Sequence, residues 1–318
     1  MKLGNLIDAF QPAKGPPPQN LGGFLRWVLA GAWPMLILAA AISGFAGAME
    51  AGTAYFLGLV IDTALSSGPE AFFTMGNLLV ILGALGFFML VRPVLFGLSA
   101  ASNAIVVQPN VNPLVLSRLN RWTLGQSVRF FDDDFAGRIA QKQMQTASAV
   151  TSVATEMINV VAFALASLVG SLALLGAIDF RITLLFGLWL IGYFALIRFF
   201  LPRVRQRSGK RAGARAMVSG QVVDSITNIK TVKLFAHASH EERSAQNAMV
   251  KFRETALEFG YLAASFRFCL MTLAGLLPVL LIGATLLLWR NGMASEGDIV
   301  AAGAVSIRIA QMTGWVSF

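Results

Sequence analysis

Charge is scarce in this sequence, and so are the side chains that do chemistry. Charged residues fill 13% of the 318 positions and hydrophobic residues 56%, which leaves too little polar surface for a water-soluble fold and an apolar excess that lipid can cover. The chain is therefore read as an all-α, polytopic membrane protein. Its one cysteine, Cys269, lies in an apolar run and excludes an intrachain disulfide. The two histidines, His237 and His240, fall together in one polar segment, so no cluster of nucleophile, base and orienting group can be assembled within the apolar stretches. No G-x-x-x-x-G-K-[ST] occurs, and the one Gly-Lys pair, in "QRSGKRAG", lacks the first glycine; ATP binding through a phosphate loop is excluded for these residues. A signal peptide is missing too. "MKLGNLIDAFQPAKGPPPQN" has neither a compact apolar core nor a small-residue cleavage site, and Pro16 to Pro18 oppose helix, so residues 1–20 read as a loosely ordered cytoplasmic tail.

Long apolar runs are what the sequence does have. About 20 mostly apolar residues cross the ~30 Å hydrocarbon core as a helix, and six such runs occur near residues 33–61, 72–98, 155–178, 182–202, 267–289 and 297–318. Residues 21–32 form a short amphipathic piece suited to the membrane interface, an elbow before the first span. The loops after the first, third and fifth spans hold only Arg181 and Arg290, while most other basic residues lie in the tail and the two long connections. Both termini are thus expected in the cytoplasm. The net charge of +9 is largely this asymmetry, so nucleic acid is not an expected partner; membrane lipids are.

The two long connections follow the second and fourth spans. Residues 135–167 and 204–223 contain helix formers, helical apolar spacing and no proline, so the spans are expected to continue as helices well beyond the bilayer. Each resulting hairpin has a tip. One carries "LGQSVRFFDDDFAGRIAQK", in which Phe130 and Phe131 make an apolar knob and Asp132 to Asp134 stand where they would cap a following helix. A cation site there is disfavoured, because no further carboxylate or loop glycine follows. The other carries "SITNIKTVKLFAHASHEERS", too charged to cross lipid and too apolar for an idle loop. Val222, Ile226, Ile229 and Val232 share one side of a helix, and Lys230, Lys233 and His237 another. A self-packed turn and a docking element both fit that pattern.

"RFFDDDFAGRIAQKQ" before the third span and "VVDSITNIKTVKLFAHASHEE" before the fifth, on six spans with long hairpins, resemble the transmembrane domain of an ATP-binding cassette (ABC) exporter. The resemblance runs from Leu21 onward. It implies that the tips, with Phe130, Phe131, Asp132, Ile229, Lys230, Val232, Lys233 and Phe235, are coupling helices docked on nucleotide-binding domains. It also implies a second transmembrane subunit, identical or not, to which the second hairpin crosses, and a bacterial inner-membrane location. ATP and Mg²⁺ would be held by the associated domain, not by residues 1–318. Such exporters carry the sixth helix onward into an ATPase domain, whereas 297–318 has length for one crossing. The ATPase is expected further along a longer polypeptide or on a separate chain; a truncated relative serving as a structural or accessory subunit is the alternative. An ion-coupled carrier fits less well, since paired intramembrane carboxylates and broken helices are not evident.

Ionisable residues within the spans are the remaining candidates, because charge in lipid costs about 2.5–3.5 kcal/mol unless it meets a partner or water. Counting ~1.5 Å per residue from the outer ends, Glu50 lies about 18 Å below Asp62 and Arg308 about 20 Å below Ser295. The two share a level and would pair if the first and sixth helices are neighbours. Arg92, Arg267 and Glu156 come out near the cytoplasmic interface, where snorkelling accounts for them. Arg308, Gln311 and Trp315 form a polar stripe on the sixth helix, either packed against its neighbours or, with Glu50, facing the solute pathway.

Overall fold

In a computed structural model the chain is described over residues 3–132, 136–234 and 238–316, and every regular element there is helical. A 3-10 turn, Leu3–Asn5, precedes α1 (Leu21–Val28) and α2 (Trp33–Ala71). Next come α3 (Met75–Leu124), the short α4 (Val128–Asp132) and α5 (residues 136–178). α6 (Phe180–Thr227), the short α7 (Ile229–Leu234), α8 (Ala238–Arg290) and α9 (Glu296–Val316) complete the order. The long helices α2, α3, α5, α6 and α8 are apolar enough to cross a membrane. α9 stands at the sixth expected span, but its acidic first turn, Arg308 and Gln311 leave it more polar than those five. At ~1.5 Å per residue the 48 residues of α6 and the 53 of α8 reach about 70–80 Å, more than twice the hydrocarbon thickness. The expected continuation of the spans is thus present.

Two units divide the chain: 1–183 with 281–316, and 184–280. In the first, α2 is the central helix, packed along the second half of α5 and along α9. Small residues permit this. A Cβ at Gly47 would collide with the Phe163 carbonyl of α5, and one at Gly58 would stand 2.6 Å from the Gly297 oxygen of α9; only glycine allows such close approach of helix backbones. α3 is interrupted by π-helical stretches at Phe87–Val91 and Ser102–Val107. Each lies just before a residue pair ending in proline, Arg92-Pro93 and Gln108-Pro109. A proline lacks its N–H and its ring crowds the carbonyl four residues back, and a widened turn relieves both defects.

The tail is not loose. Ile7 and Ala9 are buried, and Ile7 joins Val28, Leu29, Val111, Leu114 and Val115 in one apolar cluster. Asn110 donates to the Gly4 carbonyl and Ser117 to that of Ala9. Arg118, 3% exposed, donates from Nε to Gln11 O, from Nη1 to Trp27 O and Val28 O, and from Nη2 to Ala30 O, all within 2.8–3.0 Å. Pro16 to Pro18 prevented helix, as expected, but one buried guanidinium fastens the extended backbone to α3.

In the second unit, Phe186, Trp189 and Tyr193 stack successively along α6, with ring planes 11° and 6° apart. Trp189 Nε1 donates to the Leu273 carbonyl of α8 at 2.7 Å, and further along Arg207 donates to Glu258 O. Around the Leu273 contact lies an apolar groove of about 580 Å³ bordered by Gly192, Leu196, Phe268, Cys269 and Leu276. Cys269 thus serves as packing surface.

Candidate functional site

Nine residues before the end of α2, Asp62 accepts from the Ser295 hydroxyl (2.7 Å) and the Gly297 N–H (2.5 Å). Ser295 and Asp298 cap the start of α9 reciprocally, the pattern that satisfies orphan donors of a first turn. Beside it, Trp289 Nε1 donates to Glu296 Oε1, and that hydrogen bond holds the Glu296 carboxyl below its usual pKa. The anchor at Asp62 sets the register of two antiparallel helices. Twelve residues from Asp62 on α2 is Glu50, and eleven from Gly297 on α9 is Arg308, so the two must meet.

They do. Glu50 is 7% exposed, and its Oε2 lies 3.1 Å from Arg308 Nε. Its Oε1 accepts from Arg92 Nη2 at 3.5 Å, while the Arg92 guanidinium lies 5.3 Å from the Phe96 ring centroid. One carboxylate therefore faces two guanidiniums. The pairing is Coulombic more than directional: the Nε atoms of both arginines are buried without a hydrogen-bond partner. The side chains of Arg92 and Arg308 remain 40% and 27% exposed.

Arg92 corrects the sequence reading, which placed it at the interface by snorkelling. The count from the outer ends assumed that the first helix stops near Asp62. Instead α2 runs on through "TALSSGPEA" to Ala71, with one break at Gly68 (φ 73°, ψ 167°). α3 then starts about nine residues higher than assumed, and Arg92 rises from the interface to the level of Glu50. Arg267 and Glu156 are exposed. Gln311 is exposed, and no hydrogen bond joins it to the cluster among the described residues. Trp315 lies on α9, but its side chain is outside the described residues.

The tips are short helices, the second in keeping with its amphipathic spacing and the first with what the family resemblance implied. On α4, Phe130 (42% exposed) and Phe131 (38%) pack edge to face with centroids 5.3 Å apart, and Val128 is exposed beside them. Asp132 closes that helix, with its side chain outside the described residues, as are Asp133 and Asp134 entirely. On α7, Ile229, Lys230, Lys233 and Leu234 are exposed. The side chain of Val232, and all of Phe235 and His237, lie outside the described residues. Before α7, Asn228 donates to the Asp224 carboxylate at 2.9 Å and ends α6.

Residues 35–303 match the family model of the ABC transporter transmembrane region. The chain belongs to that family. A relative from Haemophilus influenzae (strain ATCC 51907 / DSM 11121 / KW20 / Rd), described as an uncharacterized ABC transporter ATP-binding protein, is 30% identical over 306 residues. That alignment covers 94% of this chain and 48% of the relative, so the chain spans about half the relative's length. As an ABC transmembrane region it is an integral membrane protein of a transport family. Its own residues do not fit a nucleotide. Gly209 and Lys210, the one Gly-Lys pair, sit in mid-α6, where the backbone N–H groups are committed to the helix and cannot cradle phosphate. Among the described residues no group of three His, Cys, Asp or Glu is placed to hold a metal ion.

Proposed function

We propose that the chain is the membrane-spanning half of an ABC exporter that moves an amphipathic solute, lipid or peptide outward by alternating access. The observation that carries this reading is the pair of tips: short helices with exposed apolar side chains, each at the end of helices far longer than a bilayer crossing. Apolar knobs rimmed by charge mark protein contacts, and a helix of this length carries movement at its tip into the membrane. The motor is a nucleotide-binding domain, on the same longer polypeptide or a separate chain, binding ATP and Mg²⁺; the ATP-binding description of a relative twice as long supports this. A second transmembrane subunit completes the transporter. The distribution of Lys and Arg favours cytoplasmic termini, and a bacterial inner membrane suits the resemblance.

Cysteines at Phe131 and Ile229 test the reading. Each is expected to cross-link to an ATPase domain in native membranes, and Phe131→Asp to uncouple ATP hydrolysis from transport without loss of folded protein, since its charge is desolvated only on docking. Efficient capture of only a non-ATPase membrane protein would instead make the chain a structural or accessory subunit.

A further inference from the structure

We infer that Arg92, Arg308 and Glu50 form a head-group site for an anionic amphiphile bearing a carboxylate or phosphate. The inference rests on the transport reading and names the class of solute. Two guanidiniums against one carboxylate leave an excess positive charge inside the apolar spans, a costly arrangement unless a counter-charge joins it. Arg92 Nε is buried without a partner and Arg308 Nε faces Glu50 Oε2, while both side chains stay partly exposed. A ligand can reach those exposed parts rather than the buried Nε atoms. The guanidinium fork matches the oxygens of carboxylate and phosphate, so an anion here gains hydrogen bonds that Glu50 does not supply. The neighbourhood suits an apolar tail: Phe96 lies under Arg92, while Met89, three positions before it, and Ile307, beside Arg308, are exposed.

Glu50 has a distinct role in this site. It holds the two arginines together and cancels one of their charges, which restrains affinity and lets a bound anion leave. Removing that charge strengthens anion binding. A merely structural salt bridge makes the opposite prediction, because breaking it disorders the site.

The test uses the full chain in phosphatidylcholine nanodiscs, with a dansyl-labelled undecanoic acid as probe. Dodecyl phosphate is expected to displace the probe at about one-tenth the concentration needed for dodecyltrimethylammonium or dodecyl maltoside. Arg92→Gln and Arg308→Gln should each weaken dodecyl phosphate about ten-fold, and Glu50→Gln should tighten it. Thermal unfolding in the same nanodiscs identifies any variant that fails to fold; Arg92→Lys and Arg308→Lys then serve, retaining charge but losing the fork, with a smaller weakening expected. Equal displacement by the cationic or neutral amphiphile, unchanged affinity in both arginine variants, or weaker binding by folded Glu50→Gln would overturn the site. Inorganic phosphate acting as well as dodecyl phosphate would overturn the amphiphile. In phosphatidylglycerol nanodiscs, loss of dodecyl phosphate binding assigns the site to a bilayer lipid and retention assigns it to a solute; either upholds an anion site. None of these readouts needs ATP or transport, so failure of the exporter reading would leave them standing.

Discussion

Arg118, buried, and Arg308, half-buried, are cations in the same unit, yet they are neutralised in opposite ways. Arg118 spends its donors on four backbone carbonyls, three of them at the end of α1 and beyond and one in the tail. Arg308 has a carboxylate at 3.1 Å but an Nε without a hydrogen bond. One site has its directional bonds filled without a carboxylate partner; the other has the opposite charge nearby and bonds left to make. The difference teaches what to look for in a buried ion. A guanidinium with its donors used is a fastener, whereas one with donors in reserve beside a partly open face is equipped to bind.

Replacing each in turn should expose that contrast. The largest effect is expected from Arg118→Met, which strands several carbonyls at once and should cost about 3 kcal/mol, read as a lower unfolding midpoint together with rapid proteolysis before Trp27. Transport, if measured on protein that still folds, should keep its solute preference. Next come Glu50→Gln and Arg308→Gln, each expected to cost about 2 kcal/mol, with the double variant costing less than the sum. Additive losses would mean that the 3.1 Å contact contributes nothing, and the contrast with Arg118 would then vanish.

A smaller effect should come from Gly58→Ala. Its Cβ would stand 2.6 Å from the backbone oxygen of Gly297 and 3.2 Å from the Ala301 Cβ, so α2 and α9 must part by roughly half an ångström or more, at about 1–2 kcal/mol. Because that contact adjoins the Asp62 anchor, it should also weaken the Glu50–Arg308 coupling in a double-mutant cycle while leaving tail protection by Arg118 unchanged. The smallest effect concerns Glu296. Its carboxyl is held below the usual range in the folded state, so the stabilisation exists above the unfolded pKa of about 4.5 and is lost as pH falls through the folded value. Trp289→Phe, which removes the hydrogen-bond donor, should flatten the dependence of the unfolding temperature on pH below about 4.5; an unaltered profile would refute the assignment.

How much of this was legible beforehand depended on the kind of signal. Apolar length revealed the helices, because a bilayer demands it regardless of neighbours. Counting from helix ends brought Glu50 to Arg308 correctly, since Asp62 and the start of α9 are in fact held together. The same count misplaced Arg92, because "DTALSSGPEA" has the composition of a loop and yet continues α2; only tertiary support decides between the two. Tail packing was hidden for a similar reason. Its apolar residues, Leu6, Ile7, Ala9 and Phe10, are few, and the arginine that holds the segment sits a hundred residues away. An unpaired Arg118 on an apolar helix face, with Asn110 and Ser117 near it, was the available hint. The tips announced themselves as amphipathic and charged, but what docks on them cannot be written in this chain's residues alone.

The order in which the charges of the intramembrane cluster leave the ribosome has a consequence for biogenesis. Glu50 enters the bilayer in the first long apolar helix, alone and costly. Arg92 follows 42 residues later, about 2–8 s at ordinary elongation rates, whereas Arg308 follows Glu50 by about 13–50 s. The weaker, more exposed contact is thus the early one. Arg92 is therefore available to shield the carboxylate before α9 is made, so that α9 can settle beside a partner already neutralised. A nascent chain lacking Arg92 would hold Glu50 bare for that whole interval, exposed to the quality-control proteases that recognise stranded charge in membranes.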